Sequence, residues 1–352
     1  MSLSFKKVDL LLLTLTFLIA SFGLLAIKSS TGDQFLKQFI FIILGLGFFL
    51  LISAIDYQIF RHFSIHLYLV SLGLLVLVLF FGITTRGATR WIDLGIIQFQ
   101  PTEIAKPAIV LVLASFAVKN NLNQFSNLLK SLGLVLVLAV LIFRQPDLGN
   151  VAIFLFCWLA VAFTAGASFK KILSIATVIV FLLPLVWQVM AEYQKERIVG
   201  FFAPNLDPTG AGYNIIQSQI AVGSGQIFGR GLGFGTQSHL AFLPEHTTDF
   251  IFAAISEELG FFGSFLLIIL FFILIYRVLK IASEADFFGS LICAGVAGLI
   301  FSQVAVSIGM NLGIIPVVGV TLPLVSSGGS SLVSTFLTIG LVSSIAMRAK
   351  KL

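Results

Sequence analysis

The chain has 352 residues, of which 58% are hydrophobic and only 10% are charged, and its mean hydropathy is +1.09. Soluble domains contain roughly 45–50% apolar residues, so this composition excludes a water-soluble fold and indicates an integral membrane protein. The excess of basic residues gives a pI of about 9.4. These bases form no basic stripe along the chain, so we expect no nucleic-acid partner.

Apolar runs near the length of about 20 residues that crosses a bilayer recur along the whole sequence. They predict an all-α, polytopic membrane protein with about ten transmembrane helices. We expect one membrane domain over residues 1–352, because no segment has the composition of a separate soluble domain. The predicted spans lie near 8–27, 38–55, 66–84, 102–118, 128–143, 148–166, 169–190, 249–276, 287–310 and 330–347.

The positions of the basic residues predict the orientation of the bundle. An even number of spans places both termini on the same side, and that side receives twelve of the 21 bases. Because short cytoplasmic loops are enriched in Lys and Arg, both termini are expected to be cytoplasmic. The twelve bases are Lys6, Lys7, Arg61, Lys119, Lys130, Lys170, Lys171, Arg277, Lys280, Arg348, Lys350 and Lys351.

Three segments on the opposite, outer side are polar and rich in Gly, Pro and charge: 85–101, 191–248 and 311–329. The second is predicted to be a large extracytoplasmic loop between spans 7 and 8. A loop of this length without structure is uncommon in a compact protein unless it is functional or disordered, and we expect a function here.

Within the large loop, "GYNIIQSQIAVGSG" places Tyr213, Ile216 and Ile220 at helical spacing. This predicts a short helix on the outer leaflet, although a simple apolar connector has the same pattern. The following "GSGQIFGRGLGFG" indicates sharp turns or a close backbone approach, with Arg230 in its middle.

The segment "FLPEHTTDFIFAAISEELGF" carries four of the fifteen acidic residues. Pro244 and the following threonines predict a helix that begins at Asp249, with Thr247 or Thr248 as its cap. Asp249 would then lie at the outer membrane edge close to His246, a setting in which a carboxylate can act as a general base. A first-turn aspartate that only stabilises its helix is the alternative.

Glu257 and Glu258 follow Asp249 by eight and nine residues on the same predicted helix. Charged groups inside a membrane cost on the order of 2.5–3.5 kcal/mol each, so these two glutamates are expected to face the bundle interior and to be paired or protonated. We therefore expect a structural role for both. Cys157 and Cys293 lie in mid-span, away from other ligand residues, and are expected to be packing residues.

A second charged cluster belongs to the same outer side. "RWIDLGIIQFQPTEIAKPAI" supplies Arg90, Glu103 and Lys106, and "RQPDLG" supplies Asp147. Glu103 and Lys106 are i and i+3 neighbours on a helix that Thr102 is predicted to cap. Two interpretations stay open: a salt bridge that carries two charges into the membrane edge, or a cationic pocket for an anionic headgroup.

Five segments in this order resemble the signatures of the SEDS family (shape, elongation, division and sporulation), most closely its elongation members. They are "GATRWIDLG…FQPTEIAK", "RQPDLG", "GYNIIQSQIAVGSGQIFGRGLGFGTQ", "FLPEHTTDFIFAAISEELG" and "PVVGVTLPLVSSGGSSLV". The resemblance covers residues 85–347, and the first spans match only in hydropathy. It implies a ten-span peptidoglycan glycosyltransferase that polymerises lipid II at the outer face of the bacterial cytoplasmic membrane.

The resemblance also implies partners and site residues. The partners are lipid II, a class B penicillin-binding protein that acts as transpeptidase, and other membrane proteins of the elongation machinery. The essential aspartate of the family falls on Asp249, and its helical glutamate and lysine fall on Glu103 and Lys106. This chain departs from the family where Thr247 replaces a frequent histidine and Ser327 replaces a usual tyrosine.

The implied reaction is an inverting displacement in which the 4-hydroxyl of GlcNAc attacks the anomeric carbon of a MurNAc diphosphate. It needs one base, for which Asp249 is the candidate, and positive charge for the departing diphosphate. Candidates for that charge are Lys106, Arg90, Arg197 and Arg230. A divalent cation such as Mg²⁺ or Mn²⁺ on Asp249 or Glu103 is a further option, since hard ions prefer oxygen ligands.

Two other classes of function remain open from the sequence. A flippase or channel for lipid II or ions would need charged residues along a path through the whole membrane. The charges instead crowd the outer edge, with Glu257 and Glu258 as the exceptions in mid-span. A scaffold that only recruits partners of the elongation machinery would leave the outer-edge charges without a task.

Overall fold

The computed structural model of the protein describes residues 8–349 except 31, 33, 86–87, 94, 96–97, 205–211 and 241. The predicted all-α fold is confirmed, because this part of the chain consists mainly of helices and has only three short strands. The helices are α1 (Leu10–Ser30), α2 (Phe35–Ala54), α3 (Tyr57–Phe81), α4 (Pro101–Lys119), α5 (Phe125–Arg144), α6 (Leu148–Thr164), α7 (Phe169–Val189), α8 (Glu192–Phe202), α9 (Tyr213–Ser224), α10 (Thr236–His239), α11 (Ile251–Glu284), α12 (Phe287–Asn311) and α13 (Gly329–Arg348).

Each of the ten predicted spans falls on one of these helices. By length and composition, nine of the described helices can cross a membrane, and α6 is a shorter apolar helix of 17 residues. The third span begins earlier than predicted, because α3 is capped by Asp56, whose side chain accepts from the backbone N–H of Gln58. The eighth span is longer than predicted and begins at Ile251.

Contacts between helix ends define one end of the bundle. The Arg277 guanidinium pairs with Asp9, which precedes α1. Arg348, at the end of α13, donates to the carbonyl oxygens of Ser53 and Ala54 at the end of α2. These contacts place Arg277 beside the start of the first span and Arg348 beside the end of the second.

The helices differ in how much of their surface packs against the rest of the protein. In α4, α12 and α13, 83%, 78% and 72% of the most apolar stretch is buried, whereas the value for α7 is 11%. The first three helices therefore form the centre of the bundle, and α7 lies at its periphery. We call the ends of the helices on the predicted outer side their outer ends, and the outer ends of the central helices surround the site described below.

Two of the predicted outer segments contain helices or strands among their described residues. The segment 191–248 contains α8, α9 and α10, and its predicted helix is confirmed as α9. The face of α9 that packs against the protein consists of Ile215, Ser218 and Ala221, and the predicted leaflet residues Tyr213, Ile216 and Ile220 lie outside it. The Ser218 hydroxyl donates to the carbonyl oxygen of Asn311 at 2.7 Å, so α9 is fixed to the outer end of α12.

The segment 85–101 contributes to a small antiparallel sheet rather than an irregular loop. Strands β1 (Ile83–Thr85), β2 (Ala88–Asp93) and β3 (Gln98–Phe99) are arranged in the order β1-β2-β3. Ile92 pairs with Phe99, and Asp93 pairs with Gln98. The sheet connects α3 to α4 and carries Arg90 on its central strand.

Two predicted helix caps are wrong. Helix α4 begins with Pro101 in its first turn, so its cap is Gln100 and Thr102 lies inside the helix. The cap of α11 is Phe250, because the Thr248 hydroxyl donates to Glu245 Oε2 at 2.8 Å instead of capping the helix. Asp249 therefore lies in the turn that precedes α11 and not in its first turn.

Helix α11 is interrupted at Gly260, which has φ 65° and ψ −161°. Only glycine adopts this conformation readily, and the break exposes backbone groups that a helix would pair. The glycine-rich segment pairs them: the N–H groups of Arg230 and Gly231 donate to the carbonyl oxygens of Glu257 and Glu258, both at 3.0 Å. A membrane protein tolerates irregular backbone where such internal partners satisfy it.

Carbonyl oxygens of the glycine-rich segment also accept hydrogen bonds from the second half of α11. The N–H groups of Phe261 and Phe262 donate to the carbonyl oxygens of Gln226 and Ile227 at 2.9 and 3.2 Å. The close approach requires glycine at 229, where a Cβ atom would lie 2.1 Å from the carbonyl oxygen of Glu258. The glycines that the sequence analysis associated with close backbone approach therefore join the large outer segment to α11.

We predict that Gly260→Ala and Gly229→Ala each destabilise the protein. Alanine at either position would occupy a left-handed backbone conformation, which costs about 1–3 kcal/mol before any clash is counted. The measurement is the thermal unfolding midpoint of the purified protein in detergent. Gly47→Ala is the matched control, since Gly47 lies within α2 with no atom within 4 Å of the added Cβ; equal losses in all three variants would contradict the role of the break.

Candidate active site

A cavity of about 690 Å³ opens at the outer end of the central helices. Its wall is assembled from the starts of α2, α4 and α6, from β2, from α8 and from the segments that precede α11 and α13. Polar and charged side chains dominate this wall, in contrast to the apolar bundle below it. The charged residues that line it are Lys37, Arg90, Asp93, Glu103, Lys106, Arg197, Glu245 and Asp249.

Asp249 is placed by a turn over residues 245–250. The backbone N–H groups of Thr248 and Phe250 both donate to the carbonyl oxygen of Glu245 at 3.1 Å. Glu245 has φ 57°, a left-handed conformation that residues other than glycine seldom adopt and that is frequent at functional sites. The turn thus presents two carboxylates, Glu245 and Asp249, to the same cavity.

The segment before α13 and the end of α12 hold this turn from two sides. Ser326 Oγ donates to the carbonyl oxygen of Thr248 at 2.6 Å, and the backbone N–H of Ser327 donates to that of Thr247 at 2.8 Å. The Asn311 side chain donates to the carbonyl oxygen of Asp249 at 2.8 Å. The position of the Asp249 backbone is therefore set by residues far away in the sequence.

Gly319 marks the point where Asp249 meets two arginines. A Cβ atom on Gly319 would lie 3.4 Å from Asp249 Oδ2, 3.6 Å from Arg90 Nη1 and 3.7 Å from Arg197 Nη1. Gly319 has φ 69°, so glycine is favoured there for its backbone as well as for the space it leaves. Both guanidinium groups therefore place positive charge beside this carboxylate.

Arg90 is held by the turn between α5 and α6. Its guanidinium donates to the carbonyl oxygen of Gln145 at 3.1 Å and to that of Pro146, and Nε lies 3.8 Å from Asp147 Oδ2. Burial lowers the pKa of Arg90, but the charge of Asp147, with smaller contributions from Tyr193 and Asp249, outweighs this effect, and the pKa is raised. Arg90 therefore carries a fixed positive charge at the cavity wall.

Asp147 lies behind the wall and supports it. It is fully buried, and its carboxylate accepts from the backbone N–H of Asn150 at 3.2 Å and from the Asn150 side chain at 2.9 Å. These contacts make it the N-cap of α6. Of the predicted support residues, Asp147 thus acts on the cavity through Arg90 and Asn150.

Helix α8 supplies Arg197. Its guanidinium carbon lies 5.5 Å from the centre of the Tyr193 ring, and Nη1 donates to the carbonyl oxygen of Val317 at 3.4 Å. The Tyr193 hydroxyl donates to the carbonyl oxygen of Pro146 at 2.7 Å. Tyr193 therefore connects both arginines of the site to the same turn.

The predicted proximity of Glu103 and Lys106 is confirmed. Lys106 Nζ lies 2.7 Å from Glu103 Oε1, and both side chains are buried at the start of α4. Ser334 Oγ on α13 donates to the backbone carbonyl of Glu103 at 2.6 Å. The pair forms the buried salt bridge of the first interpretation, and it also lines the cavity. The second interpretation, a cationic pocket for an anionic headgroup, stays a prediction.

The structure does not bring every candidate to the cavity. The described lining residues include neither Arg230 nor His246. Arg230 Nη1 donates to Thr236 Oγ1 at 3.2 Å and lines a separate surface depression. The His246 ring contacts the carbonyl oxygen of Leu243 at 3.1 Å. Ser327, the position of the second departure from the family pattern, does line the cavity.

Glu257 and Glu258 are buried and paired, as expected. Glu257 accepts from the backbone N–H of Gln237 at 2.9 Å and from that of Ser238 at 3.2 Å, which holds the short helix α10. Glu258 accepts from Ser29 Oγ at 2.6 Å and contacts His239 at 3.2 Å. Both glutamates therefore connect the outer segment to α11.

Several site residues were missed by the sequence analysis. Lys37 lines the cavity at the start of α2, and a lone base at the outer end of a predicted span was the signal. Asn311, Ser326 and Gln303 gave no signal of their own, because isolated polar residues in apolar helices or loops are common. Their importance depends on contacts between distant segments.

Four buried polar atoms of lining residues have no hydrogen-bond partner among the described residues: Gln34 Oε1, Glu103 Oε2, Asn150 Oδ1 and Gln303 Nε2. Buried polar groups are nearly always paired, so such atoms at a cavity wall indicate contact with water or a ligand. The described residues contain no group of three or more His, Cys, Asp or Glu that could hold a metal ion.

Comparisons with known proteins agree with this arrangement. The profile of the FtsW/RodA/SpoVE family, described as cell cycle protein, matches residues 3–351. Peptidoglycan glycosyltransferase MrdB of Escherichia coli (strain K12) is 42% identical over 317 residues, which cover 88% of this chain and 85% of that protein.

Two solved structures are similar over nearly the full length. A chain in the structure of a peptidoglycan synthase complex that coordinates polymerization and crosslinking has a TM-score of 0.84 and 31% identity, with 98% of this chain and 99% of that chain covered. The rod shape determining protein RodA of Thermus thermophilus has a TM-score of 0.75 and 29% identity, with 99% of each chain covered.

We predict that Glu103 and Lys106 are coupled in stability. Lys106→Met or Glu103→Gln alone would leave the other group buried without its partner, which costs about 3–5 kcal/mol, and the double variant should lose clearly less than the sum. The measurement is a double-mutant cycle from unfolding in detergent. As control, Lys195→Met on α8 breaks an exposed i, i+3 pair with Glu192 and should cost less than about 1 kcal/mol. Additive losses at 103 and 106 would show that the pair is not a unit.

Proposed function

The chain belongs to the FtsW/RodA/SpoVE (SEDS) family of cell cycle proteins and is a peptidoglycan glycosyltransferase, and we propose that Asp249 is the residue at which its transfer reaction takes place. The observation that carries this proposal is the convergence of Asp249, Arg90 and Arg197 around Gly319 in the wall of the cavity. A carboxylate between two cations at the mouth of an apolar bundle combines a proton acceptor with anion-stabilising charge.

The proposed substrate is lipid II, whose disaccharide is joined through a diphosphate to a polyprenol. The polyprenyl chain can stay among lipids while the sugars and the diphosphate enter the cavity. The 4-hydroxyl of the acceptor GlcNAc attacks the anomeric carbon of the donor MurNAc and gives its proton to Asp249. The bond from this carbon to the diphosphate oxygen breaks, and its electron pair stays on that oxygen. The configuration at the carbon inverts, so the α-linked diphosphate is replaced by a β-1,4 linkage between the sugars.

The charge of the departing diphosphate needs compensation, since its negative charge grows in the transition state. Arg90 and Arg197 are the best placed of the predicted cations, and Lys106 and Lys37 add charge to the same wall. Lys106 contributes less than a free lysine would, because Glu103 partly neutralises it. Arg230 is not part of this set, since it lies at a separate depression.

A divalent cation is compatible with the carboxylates of the turn. The oxygen atoms of Asp249 and Glu245 are the type of ligand that Mg²⁺ and Mn²⁺ prefer, whereas the salt bridge of Glu103 with Lys106 disfavours a cation there. A bound cation would neutralise diphosphate charge. Asp249 would then serve as its ligand rather than as the base, and the two roles remain alternatives of one proposal.

The shape of the site supports transfer over transport. The described lining residues all come from one end of the bundle, so they do not form a polar path across it. A flippase or channel would require such a path. A scaffold without catalysis would need neither the cavity nor the charges in its wall.

We further propose the setting in which the enzyme works. Its similarity to a chain of a peptidoglycan synthase complex supports assembly with a class B penicillin-binding protein that crosslinks the strands. Its similarity to RodA and MrdB supports a role in elongation, together with other membrane proteins of that machinery. The cavity faces the outside of the bacterial cytoplasmic membrane, and both termini are cytoplasmic.

The orientation can be tested by cysteine labelling. In intact cells, an impermeant maleimide should label Glu192→Cys on the exposed side of α8, and it should label Ser283→Cys only after the cells are permeabilised. The native Cys157 and Cys293 are fully buried and should give little background. Labelling of Ser283→Cys alone in intact cells would reverse the proposed orientation.

The catalytic role is tested with Asp249→Asn. This variant keeps the shape of the side chain and the backbone contact with Asn311. Because its amide cannot act as a base, the rate of glycan polymerisation should fall by about 10²–10⁴-fold. The assay is gel analysis of labelled lipid II products with purified protein and its transpeptidase partner. Glu257→Gln is the comparison, because it loses hydrogen bonds to α10 and should lower the unfolding temperature at least as clearly as it lowers turnover. Polymerisation by Asp249→Asn at close to the unmodified rate would refute the assignment.

A further inference from the structure

Three of the polar atoms without a partner belong to side chains that are almost fully buried. Glu103, Asn150 and Gln303 have relative exposures of 3%, 5% and 4%, yet all three line the cavity. Leaving a buried donor or acceptor unpaired costs about 1–3 kcal/mol for each group. The wall formed by α4, α6 and α12 therefore has hydrogen-bonding capacity that the described residues do not use.

Glu103 and Gln303 lie at the same height in the bundle. Gly295 on α12 contacts Val110 on α4, since a Cβ atom there would lie 3.0 Å from Val110 Cγ1. Gln303 lies eight residues beyond Gly295 toward the outer end of α12. Glu103 lies seven residues before Val110, toward the outer end of α4. At 1.5 Å per residue these are rises of about 12 and 10 Å, so the two residues lie at a similar depth, and both line the cavity.

Asn150 is joined to the same region through Asp147. The Asp147 carboxylate accepts from Asn150 Nδ2 at 2.9 Å and from Gln100 Nε2 at 3.4 Å. Gln100 is the cap of α4, three residues before Glu103. The three unpaired atoms thus belong to one continuous part of the wall.

The partners that are already present decide what each atom can bind. Glu103 uses Oε1 for Lys106, which leaves Oε2 as an acceptor. The amide nitrogen of Asn150 donates to Asp147, so its oxygen is the atom left as an acceptor. Gln303 Nε2 is a donor. A matching ligand offers two N–H or O–H donors and one acceptor, and it needs no charge of its own, because the Glu103 carboxylate is already paired with Lys106.

We propose that Glu103, Asn150 and Gln303 form a subsite for the 2-acetamido group and the adjoining 3-hydroxyl of the acceptor GlcNAc, an inference that rests on the proposed function. This part of the sugar carries an amide N–H, a hydroxyl and a carbonyl oxygen on neighbouring atoms. It therefore supplies two donors and one acceptor without charge. In MurNAc the 3-oxygen is an ether and lacks the second donor, so the acceptor sugar fits better than the donor sugar.

The subsite would determine which hydroxyl reacts. The 4-hydroxyl is next to the 3-hydroxyl on the ring, so a GlcNAc held at its 2 and 3 positions leaves the 4-hydroxyl available to Asp249 in the same cavity. A site that hydrogen-bonds a polar group of its substrate can discriminate against an analogue that lacks this group by about 10⁴–10⁵-fold in kcat/KM. The subsite would thus exclude sugars without the acetamido group.

The test compares three substrates with the full-length protein and its transpeptidase partner. They are lipid II, an analogue with a hydroxyl in place of the acetamido group of GlcNAc, and an analogue with the same change in MurNAc. The unmodified protein should prefer lipid II over the GlcNAc analogue by about 10²-fold or more in kcat/KM. Gln303→Met, which keeps the size of the side chain but removes the donor, should reduce that preference at least tenfold.

Gln194→Met is the matched control, because Gln194 is also a buried glutamine with an unpaired Nε2 but is not among the described lining residues. It should leave the preference unchanged. Met at 303 removes a donor that has no partner, and it is expected to preserve stability. Met at 194 also removes the acceptor of the Ala191 N–H at 3.1 Å, so the unfolding temperatures of both variants are measured as well. Gln303→Leu serves as a second variant if Gln303→Met does not fold.

Each result decides between named alternatives. Equal slowing of all three substrates by the Gln303 variants would overturn the subsite and leave only a structural or water-binding role. A change of preference at MurNAc alone would overturn the assignment to the acceptor sugar. If the unmodified protein polymerises lipid II without any preference, only this inference fails, whereas complete inactivity on lipid II contradicts the proposed function itself.

Discussion

Charged groups enclosed by an apolar bundle must balance one another, and this requirement organises the outer end of the protein. The Glu103–Lys106 salt bridge at 2.7 Å and the contact of Arg90 with Asp147 place charge in the wall of the cavity without leaving it uncompensated. Buried ion pairs of this kind add little net stability, because desolvation offsets most of the attraction between the charges. Their presence is therefore better explained by what the cavity must bind than by folding alone.

The need to compensate buried charge also separates the four acidic residues before and within α11 into two pairs with different roles. Glu257 and Glu258 are saturated with contacts to α10, the glycine-rich segment and Ser29, and so they fix the outer segment to the bundle. Glu245 and Asp249 belong to a turn whose side chains line the cavity. The break at Gly260 separates the anchored part from the lipid-spanning part of the helix.

The sequence predicted the helices well because spans of apolar residues are set by bilayer thickness, which acts locally along the chain. It also identified Asp249, Glu103 and Lys106 through family motifs and helical spacing. The helix caps were mispredicted, because Thr248 prefers Glu245 and Gln100 precedes Pro101. Local patterns do not record which distant segment provides a partner, so the break in α11 and its pairing with the glycine-rich segment could not be predicted.

Hydrogen bonding within the protein distinguishes the structural polar groups of this site from those proposed to bind a ligand. Asp147 is fully buried and accepts several hydrogen bonds, which identifies it as a support. Glu103 and Gln303 are equally buried but each keeps an atom unpaired toward the cavity. Since burial without a partner is costly, such atoms persist where binding repays the cost in the complex. In the proposed complex, the unpaired atoms would therefore contact the neutral groups of the acceptor sugar, while Arg90 and Arg197 would contact the diphosphate of the donor.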